Sequence, residues 1–109
     1  MDAAFSLPAK ELYTAYTTNK TESEKKFNGK VIALTGTLKK IETTDSLVIA
    51  VFVFNQGVFG NEGIRCTFLP KLNDLGKKLL PDTEIKLKGF CTGFNDTDVI
   101  LEKCSMLNP

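Results

Sequence analysis

Apolar residues near the start of the chain recur at helical spacing. Ala15 and Tyr16 follow Leu12 by three and four residues, which places all three on one face of an α-helix. Ser6 is suited to cap such a helix, and Pro8 is suited to its first turn. The pattern therefore predicts a helix that begins close to Ser6.

A second, shorter helix is predicted directly after the first. Thr21 and Glu24 stand three residues apart, which is the spacing of a capping box. The helix is expected to run through Lys26, and Gly29 suits a left-handed stop behind it. We therefore expect two helices within residues 5–28.

After Lys30 the hydrophobic period changes to two, which indicates β-strands. The predicted strands are Val31–Ile41, Leu47–Phe54, Gly63–Leu69, Thr83–Cys91 and Val99–Cys104. The predicted connections are a polar turn at Glu42–Ser46, a loop at Asn55–Glu62, a short helix within residues 71–80 and a hairpin loop at Thr92–Asp98. Gly36 stands in the middle of the first strand, where an interior glycine often marks a sharp bend.

Five strands with a helix between the third and fourth are typical of an OB-fold barrel. The bend at Gly36 supports this fold, because the first strand of an OB barrel has to serve both halves of the barrel. A small SH3-like barrel is the main alternative, but it has no need of the predicted helix. We therefore predict a mainly β, five-stranded OB barrel over residues 30–107, with the N-terminal helices completing one domain over 1–109.

Four segments of the sequence carry a family resemblance: ELYTAYTTN (11–19), KKFNGKVIALTGTL (25–38), IRCTF (64–68) and IKLKGFCTGFNDTDVILEKC (85–104). Together they resemble the tRNA_anti-like family, small bacterial OB-fold proteins named for their similarity to anticodon-binding barrels. The resemblance covers about residues 12–104. It implies an OB fold without an established biochemical activity, and an exported or lipid-anchored protein of the cell envelope.

The composition argues against catalysis. The chain contains no His, which removes the commonest general base and the commonest metal ligand. Asp96 and Asp98 come closest to paired carboxylates, but they lie beside Asn95 and Thr97, and such residues favour turns for backbone reasons. The three Cys lack the spacing of a zinc site. We expect a protein that is not an enzyme and that binds no metal and no cofactor.

Cys66, Cys91 and Cys104 are all predicted to point inward. They are read either as small buried apolar groups or, in an exported protein, as the source of one disulfide. Hairpin geometry makes a direct Cys91–Cys104 bond doubtful, so the alternatives are a bridge between the third and fifth strands or no bridge.

A single-stranded nucleic acid is the sharpest ligand hypothesis, because OB folds bind such strands across their second and third strands. The candidate contacts are Lys39, Lys40, Phe52, Phe54, Phe59, Arg65, Thr67 and Phe94. Acidic residues border this surface, and the net charge of the chain is only +1. In the alternative interpretation, Phe52 and Phe54 lie beneath the N-terminal helices, with Tyr13 or Tyr16 packed on them.

The predicted function is a non-enzymatic binding or interaction module, with single-stranded nucleic acid or oligosaccharide binding as the alternative. Loop 55–62 is the predicted contact for a protein partner, and a dimer is left open. Lys77, Lys78, Lys86, Lys88 and Lys103 are interpreted as a solvated surface that discourages edge pairing. The first residues do not form a signal peptide, so the sequence itself does not choose between export and the cytoplasm.

Overall fold

The protein is mainly β, and its strands form one seven-stranded sheet. The computed structural model describes residues 2–58 and 60–107. In that part of the chain the elements are, in order, β1 (Phe5–Pro8), α1 (Ala9–Thr18), α2 (Lys20–Phe27), β2 (Val31–Thr37), β3 (Lys40–Thr44), β4 (Leu47–Gly57), β5 (Gly60–Phe68), a 3₁₀ turn (Pro70–Leu72), α3 (Asn73–Lys77), β6 (Glu84–Phe94) and β7 (Asp98–Met106).

The strand order is β1-β2-β6-β7-β5-β4-β3, so β2 is second from one end of the sheet and β3 forms the other end, although two residues separate them. The N–H of Leu38 donates to the carbonyl of Thr83 at 2.9 Å, beside β6. The N–H of Lys39 donates to the carbonyl of Val51 on β4, also at 2.9 Å. These two residues carry the chain from one half of the sheet to the other. The prediction of one unbroken strand over Val31–Ile41 is therefore wrong.

The first residues form a strand and not a helix. β1 runs parallel to β2, with Phe5 opposite Ile32 and Leu7 opposite Leu34. α1 begins only at Ala9, and Ser6 makes no cap. The predicted helix start is wrong because four residues are too few to show a period, and their pairing partner is distant in the sequence.

The short second helix is confirmed, but its predicted cap is wrong. The helix starts at Lys20, and the side chain of Asn19 accepts a hydrogen bond from the N–H of Glu22 at 3.1 Å. Thr21 therefore lies inside the helix. Asn is at least as good a cap as Thr, and it stands at the position where α1 ends.

Two predicted connections are largely strand. β3 continues to Thr44, which leaves a tight turn in which Asp45 has a φ of 50°. β4 continues to Gly57 and β5 begins at Gly60, so the predicted loop 55–62 is the end of a β-hairpin. Cross-strand pairing overrides the turn preference of these residues, with Asn55 opposite Glu62.

Helices cover the sheet interior from two sides. A Cβ on Gly36 would lie 3.0 Å from Cβ of Ala9 and 3.2 Å from the ring of Phe52. Gly36 thus gives α1 room to approach β2, while the chain turns at Leu38–Lys39 instead. The predicted helix between the third and fourth predicted strands is confirmed as α3, where Gly76 packs against Phe68. The buried core includes Leu12, Tyr16, Ile32, Leu34, Phe52, Ile64, Leu87, Val99 and Leu101.

Candidate binding surfaces

Alternate residues of β4 face opposite sides of the sheet, and the phenylalanines face inward. Phe52 is fully buried in the core, together with Ala50 and Val48. Ile49 and Val51 take the other phase and do not join that core cluster. Phe52 cannot reach a ligand unless the fold opens, so we do not retain it as a binding residue.

The aromatic side chains at the top of the interior are covered by α1. The ring of Tyr13 lies 5.7 Å from that of Phe54 and 6.5 Å from that of Phe94. The ring of Tyr16 lies 5.8 Å from that of Phe94. The predicted packing of Tyr13 on Phe54 is therefore what the structure contains. Phe54 and Phe94 bind the helix to the sheet and do not form exposed stacking platforms.

The outer side of β3, β4 and β5 carries the other predicted candidates; we call it the β3–β4–β5 surface, formed by Lys40, Glu42, Ile49, Val51, Arg65 and Thr67. Lys40 and Arg65 stand in register on either side of Val51, and Glu42 stands opposite Ile49. Arg65 reaches across β4 to hydrogen-bond Glu42, and Nζ of Lys40 lies 3.0 Å from the same carboxylate. Both basic groups of this surface are therefore engaged by one carboxylate.

The charged groups of Glu42, Lys40 and Arg65 stabilise one another. Hydrogen bonds from Arg65 and Lys40 lower the pKa of Glu42 below its ordinary value of 4.5. The carboxylate is therefore ionised at neutral pH. It pairs with the cationic groups of Arg65 and Lys40, which a phosphate would need as partners. The cluster of Glu42, Lys40 and Arg65 also spans Ile49 and Val51 on β4. These two residues are only 7% and 4% exposed, although they lie outside the core cluster.

The remaining predicted contacts lie apart from that surface or outside the description. Lys39 is exposed at the break between β2 and β3. Phe59 lies outside the described residues. The ligand contacts predicted from the sequence therefore do not form one site. Some lie in the interior, some lie on the outer side of the sheet and others are isolated, because the prediction did not assign each strand residue to one face of the sheet.

The β4–β5 hairpin has a fixed base and an exposed tip. The Asn55 amide donates to Oε1 of Glu62 at 2.9 Å, and the hydroxyl of Tyr13 donates to the same oxygen at 3.4 Å. Val58 follows β4 in a turn, and it is 94% exposed. Turn positions normally carry Gly, Asn or Asp, so a large apolar residue there breaks the local rule. Most of the predicted loop 55–62 is therefore strand, and its side chains join the two strands at the base of the hairpin.

The three cysteines point into the core, as predicted, and all three are free thiols. Burial raises the pKa of the Cys66 thiol, and a hydrogen bond with Cys104 raises it further. Cys66 and Cys104 lie on the adjacent strands β5 and β7, the pair that the sequence had considered for a bridge. The structure contains no bond between them. Protonated, buried thiols are poor nucleophiles and poor metal ligands.

Tyr16 joins the third thiol to the helices. Its hydroxyl donates to Oδ1 of Asn28 and lies 3.3 Å from Sγ of Cys91. Either the hydroxyl or the thiol can donate in the second contact. Burial is the main cause that raises the pKa of Tyr16, and burial also raises that of Cys91. Both groups therefore stay neutral and serve packing.

The acidic turn between β6 and β7 is held by its own side chains. Oδ1 of Asn95 accepts hydrogen bonds from the N–H groups of Thr97 and Asp98, at 3.1 and 2.8 Å. Asp98 also accepts from the N–H of Gly63, and Asp96 pairs with Lys20 at 2.8 Å. These contacts agree with the predicted turn role. Within residues 2–58 and 60–107, no group of three Cys, Asp or Glu side chains is placed to hold a metal.

The sequence profile of the tRNA_anti-like family matches residues 1–106. The chain belongs to the tRNA_anti-like family. The resemblance identified from its sequence segments is thereby confirmed. Among the curated proteins, no sequence matches this chain.

Solved structures share the fold of this tRNA_anti-like protein at low sequence identity. The "putative nucleic acid-binding lipoprotein" of Klebsiella pneumoniae subsp. pneumoniae MGH 78578 has a TM-score of 0.70 and 15% identity, over 94% of this chain and 91% of that chain. A "putative aspartyl-tRNA synthetase" of Leishmania major Friedlin has a TM-score of 0.63 and 9% identity, over 93% of this chain and 20% of that chain. An OBody bound to hen egg-white lysozyme has a TM-score of 0.51 and 16% identity, over 74% and 83%. At these identities the likeness establishes an OB-like fold alone.

The described helices of this family member are short. None of those in residues 2–58 and 60–107 is long and apolar enough to cross a membrane.

Proposed function

We propose that this tRNA_anti-like protein is a non-enzymatic binding module that contacts a protein partner through the tip of its β4–β5 hairpin. The observation that carries the proposal is Val58, a large apolar residue that is 94% exposed in a turn where turn formers are expected. Sequences depart from local rules chiefly at functional positions. The fixed base of the hairpin supports this role, because a rigid contact loses little entropy on binding.

We further propose that the scaffold of this module is a closed, five-stranded OB barrel. β2 and β3 act as the two halves of its first strand, and Leu38–Lys39 joins them. The hydrogen bonds of Leu38 to Thr83 and of Lys39 to Val51 support closure, because they attach this junction to the beginning of β6 in one half of the sheet and to β4 in the other. β1 is then an addition at the N-terminal side.

The absence of catalysis is also part of the proposal. The candidate nucleophiles Cys66, Cys91 and Tyr16 are buried, and their pKa values are raised, chiefly by desolvation. Asp96 and Asp98 are committed to a turn and to an ion pair with Lys20. These contacts favour packing roles for the groups that would otherwise perform chemistry.

We also propose that the protein acts at the cell envelope. Support comes from the name of the Klebsiella relative, which describes that protein as a lipoprotein. Fractionation of the native, full-length gene product checks this assignment. We expect recovery with the envelope, and recovery with the cytosolic proteins would refute it.

The hairpin contact is tested by photo-crosslinking in the native host. A photoreactive residue at position 58 is expected to give a defined adduct with one protein. The matched control carries the same residue at Asp45, in the β3–β4 turn, where no adduct of that size is expected. No adduct from position 58, or identical adducts from both positions, would exclude the hairpin as the contact.

We do not place a nucleic-acid ligand on the β3–β4–β5 surface. Arg65 and Lys40 are engaged by Glu42, and the nearby aromatic rings of Phe52 and Phe54 point inward. That surface lacks the stacking platforms that single-strand binding requires among its described residues.

A further inference from the structure

The sheet has two terminal strands, β1 and β3, and they differ in how their open edges are protected. In the described part of the chain, β1 pairs with β2 alone and β3 pairs with β4 alone. The open edge of a strand presents unpaired N–H and C=O groups, which proteins commonly protect with charged side chains or proline. β3 carries Lys40 and Glu42, whereas β1 carries no charged residue and has Pro8 only at its end. The edge of β1 is therefore the more open to pairing with another strand.

A groove lies between β1 and the first two helices, and we call it the β1–helix groove. Its volume is about 490 Å³, which is within the range of ligand pockets in proteins. Its apolar lining comes from Phe5 and Leu7 of β1, Ala15 of α1 and Phe27 of α2. None of the residues that line it belongs to β4 or β5, so the groove is separate from the hairpin contact proposed above. An apolar cavity thus adjoins the strand whose edge is open.

One hydroxyl group in this groove has no partner. Ser23 lies on α2 and lines the groove, although the residue is only 5% exposed. Its hydroxyl makes no hydrogen bond within residues 2–58 and 60–107. Buried hydroxyl groups normally have a partner, because a polar group that is buried without one costs free energy. A ligand that brings a backbone N–H or C=O group into the groove would supply this partner.

The charged groups of the lining favour a basic ligand. Glu11 and Glu22 line the groove together with one cationic residue, Lys26. Nζ of Lys26 lies over the ring of Phe27, 5.2 Å from its centroid, and is attracted to the face of that ring. Glu11 forms no ion pair with another described residue, and Glu22 has only the exposed Lys25 at 4.0 Å. A basic group next to an apolar group is therefore complementary to this lining.

We propose that the β1–helix groove binds an extended segment of a protein, which joins the sheet as a further strand beside β1. Strand addition at an open edge is a general mode of peptide recognition, in which main-chain hydrogen bonds give affinity and adjoining pockets select side chains. One apolar side chain of the segment occupies the groove, the hydroxyl of Ser23 bonds to its backbone, and a neighbouring basic side chain pairs with Glu11 or Glu22. A small molecule would fill the groove but leave the edge of β1 unpaired.

Fluorescence anisotropy with a labelled hexapeptide, Lys-Val-Thr-Val-Thr-Lys, tests the site on the intact protein. Two derivatives carry backbone N-methyl groups on alternate residues, each along one edge of the extended peptide. Because an added strand pairs through only one of its edges, one derivative should bind like the parent peptide and the other should bind at least about tenfold more weakly. Equal affinities of the two derivatives, or no saturable binding of the parent peptide below about 1 mM, would overturn the proposal.

Two variants of α1 locate the peptide on the protein. Ala15→Leu places a larger side chain in the groove and should weaken binding of the parent peptide at least about tenfold. Thr17→Leu is the matched control, because Thr17 is exposed on the same helix and does not line the groove. It should leave the affinity unchanged. Equal effects of the two variants would exclude the groove as the site.

The role of the hydroxyl is tested separately. Ser23→Ala should weaken binding of the parent peptide about fivefold, which corresponds to the loss of one hydrogen bond. The urea midpoint of the free protein should not fall, because the hydroxyl has no partner there. A lower midpoint with unchanged affinity would show that Ser23 serves only the fold, and would contradict its proposed contact with the bound segment.

Discussion

The two outer surfaces of the sheet carry similar basic side chains but arrange them differently. On the β3–β4–β5 surface, Arg65 and Lys40 close over β4 because Glu42 stands between them. On the outer side of β6 and β7, which we call the β6–β7 surface, Lys88 and Lys103 line a concavity with the exposed ring of Phe90, and Glu102 stands opposite that ring. The register of the strands therefore decides which charged groups stand side by side on each surface. Counting basic residues along the sequence does not distinguish the two.

Both surfaces also depend on glycines, whose missing side chain allows neighbouring strands to lie close together. The closest such contact lies beneath the β3–β4–β5 surface, at Gly63. A Cβ on Gly63 would lie 1.9 Å from the carbonyl oxygen of Phe52, which is backbone and cannot rotate away. Gly63→Ala is therefore expected to lower the free energy of unfolding by about 3 kcal/mol or more, measured by urea denaturation.

The matched control for this substitution lies in the same hairpin. A Cβ on Gly57 would meet the carboxylate of Glu62, the movable end of a side chain. Gly57→Ala is expected to cost less than about 1 kcal/mol. Equal losses for the two variants would contradict the distinction between backbone and side-chain contacts.

The second surface depends on the contact of Gly89 with Cys104. A Cβ on Gly89 would lie 2.3 Å from Sγ of Cys104, beside the bulge that holds Lys103. Gly89→Ala alone should destabilise the protein by about 2 kcal/mol. Removal of the sulfur in Gly89→Ala/Cys104→Ala should restore about 1 kcal/mol relative to the sum of the single changes, measured in a double-mutant cycle. Strict additivity would show that the sulfur is not the obstacle.

The ion pairs of the first surface should contribute a small stability that depends on pH. The folded state lowers the pKa of Glu42 from 4.5, so its stabilising contribution is present above pH 4.5 and is lost as the pH falls through the folded value. Glu42→Gln is expected to cost about 0.5 to 1 kcal/mol at pH 7, since the group is partly exposed. The difference from the unaltered protein should shrink in denaturation curves below pH 4.5. A difference that is constant from pH 7 to pH 3 would contradict this role.

Much of the sheet could be predicted because strands leave a strong local signal. The alternation of Lys86, Lys88 and Phe90 against Ile85 and Leu87 fixed the faces of β6, and the inward direction of all three cysteines was foreseen. The segments that could not be predicted are those stabilised by distant partners. β1 pairs with β2 across two intervening helices, and the polar ends of β4 and β5 become strand only because they pair with each other.

The candidate site was harder to predict for the same reason. The aromatic residues of β4 were interpreted either as an exposed binding surface or as packed beneath the N-terminal helices, because alternation with Ile49 and Val51 allowed either side. Only the packing of Tyr13 on Phe54 decides that they face inward. The engagement of Arg65 by Glu42 joins residues far apart in the sequence, and no local pattern indicates it.

The sequence by itself determined the family, the mainly β character and the inner and outer phases of most strands, because these follow from local period and composition. The tertiary structure alone decided that Leu38–Lys39 links the two halves of the sheet, that Glu42 engages Arg65 and Lys40 across β4, and that a bulge at Lys103 interrupts the pairing of β6 with β7. Each of these depends on which residues meet across strands. The register of the sheet fixes those meetings, and the order of residues along one strand does not record them.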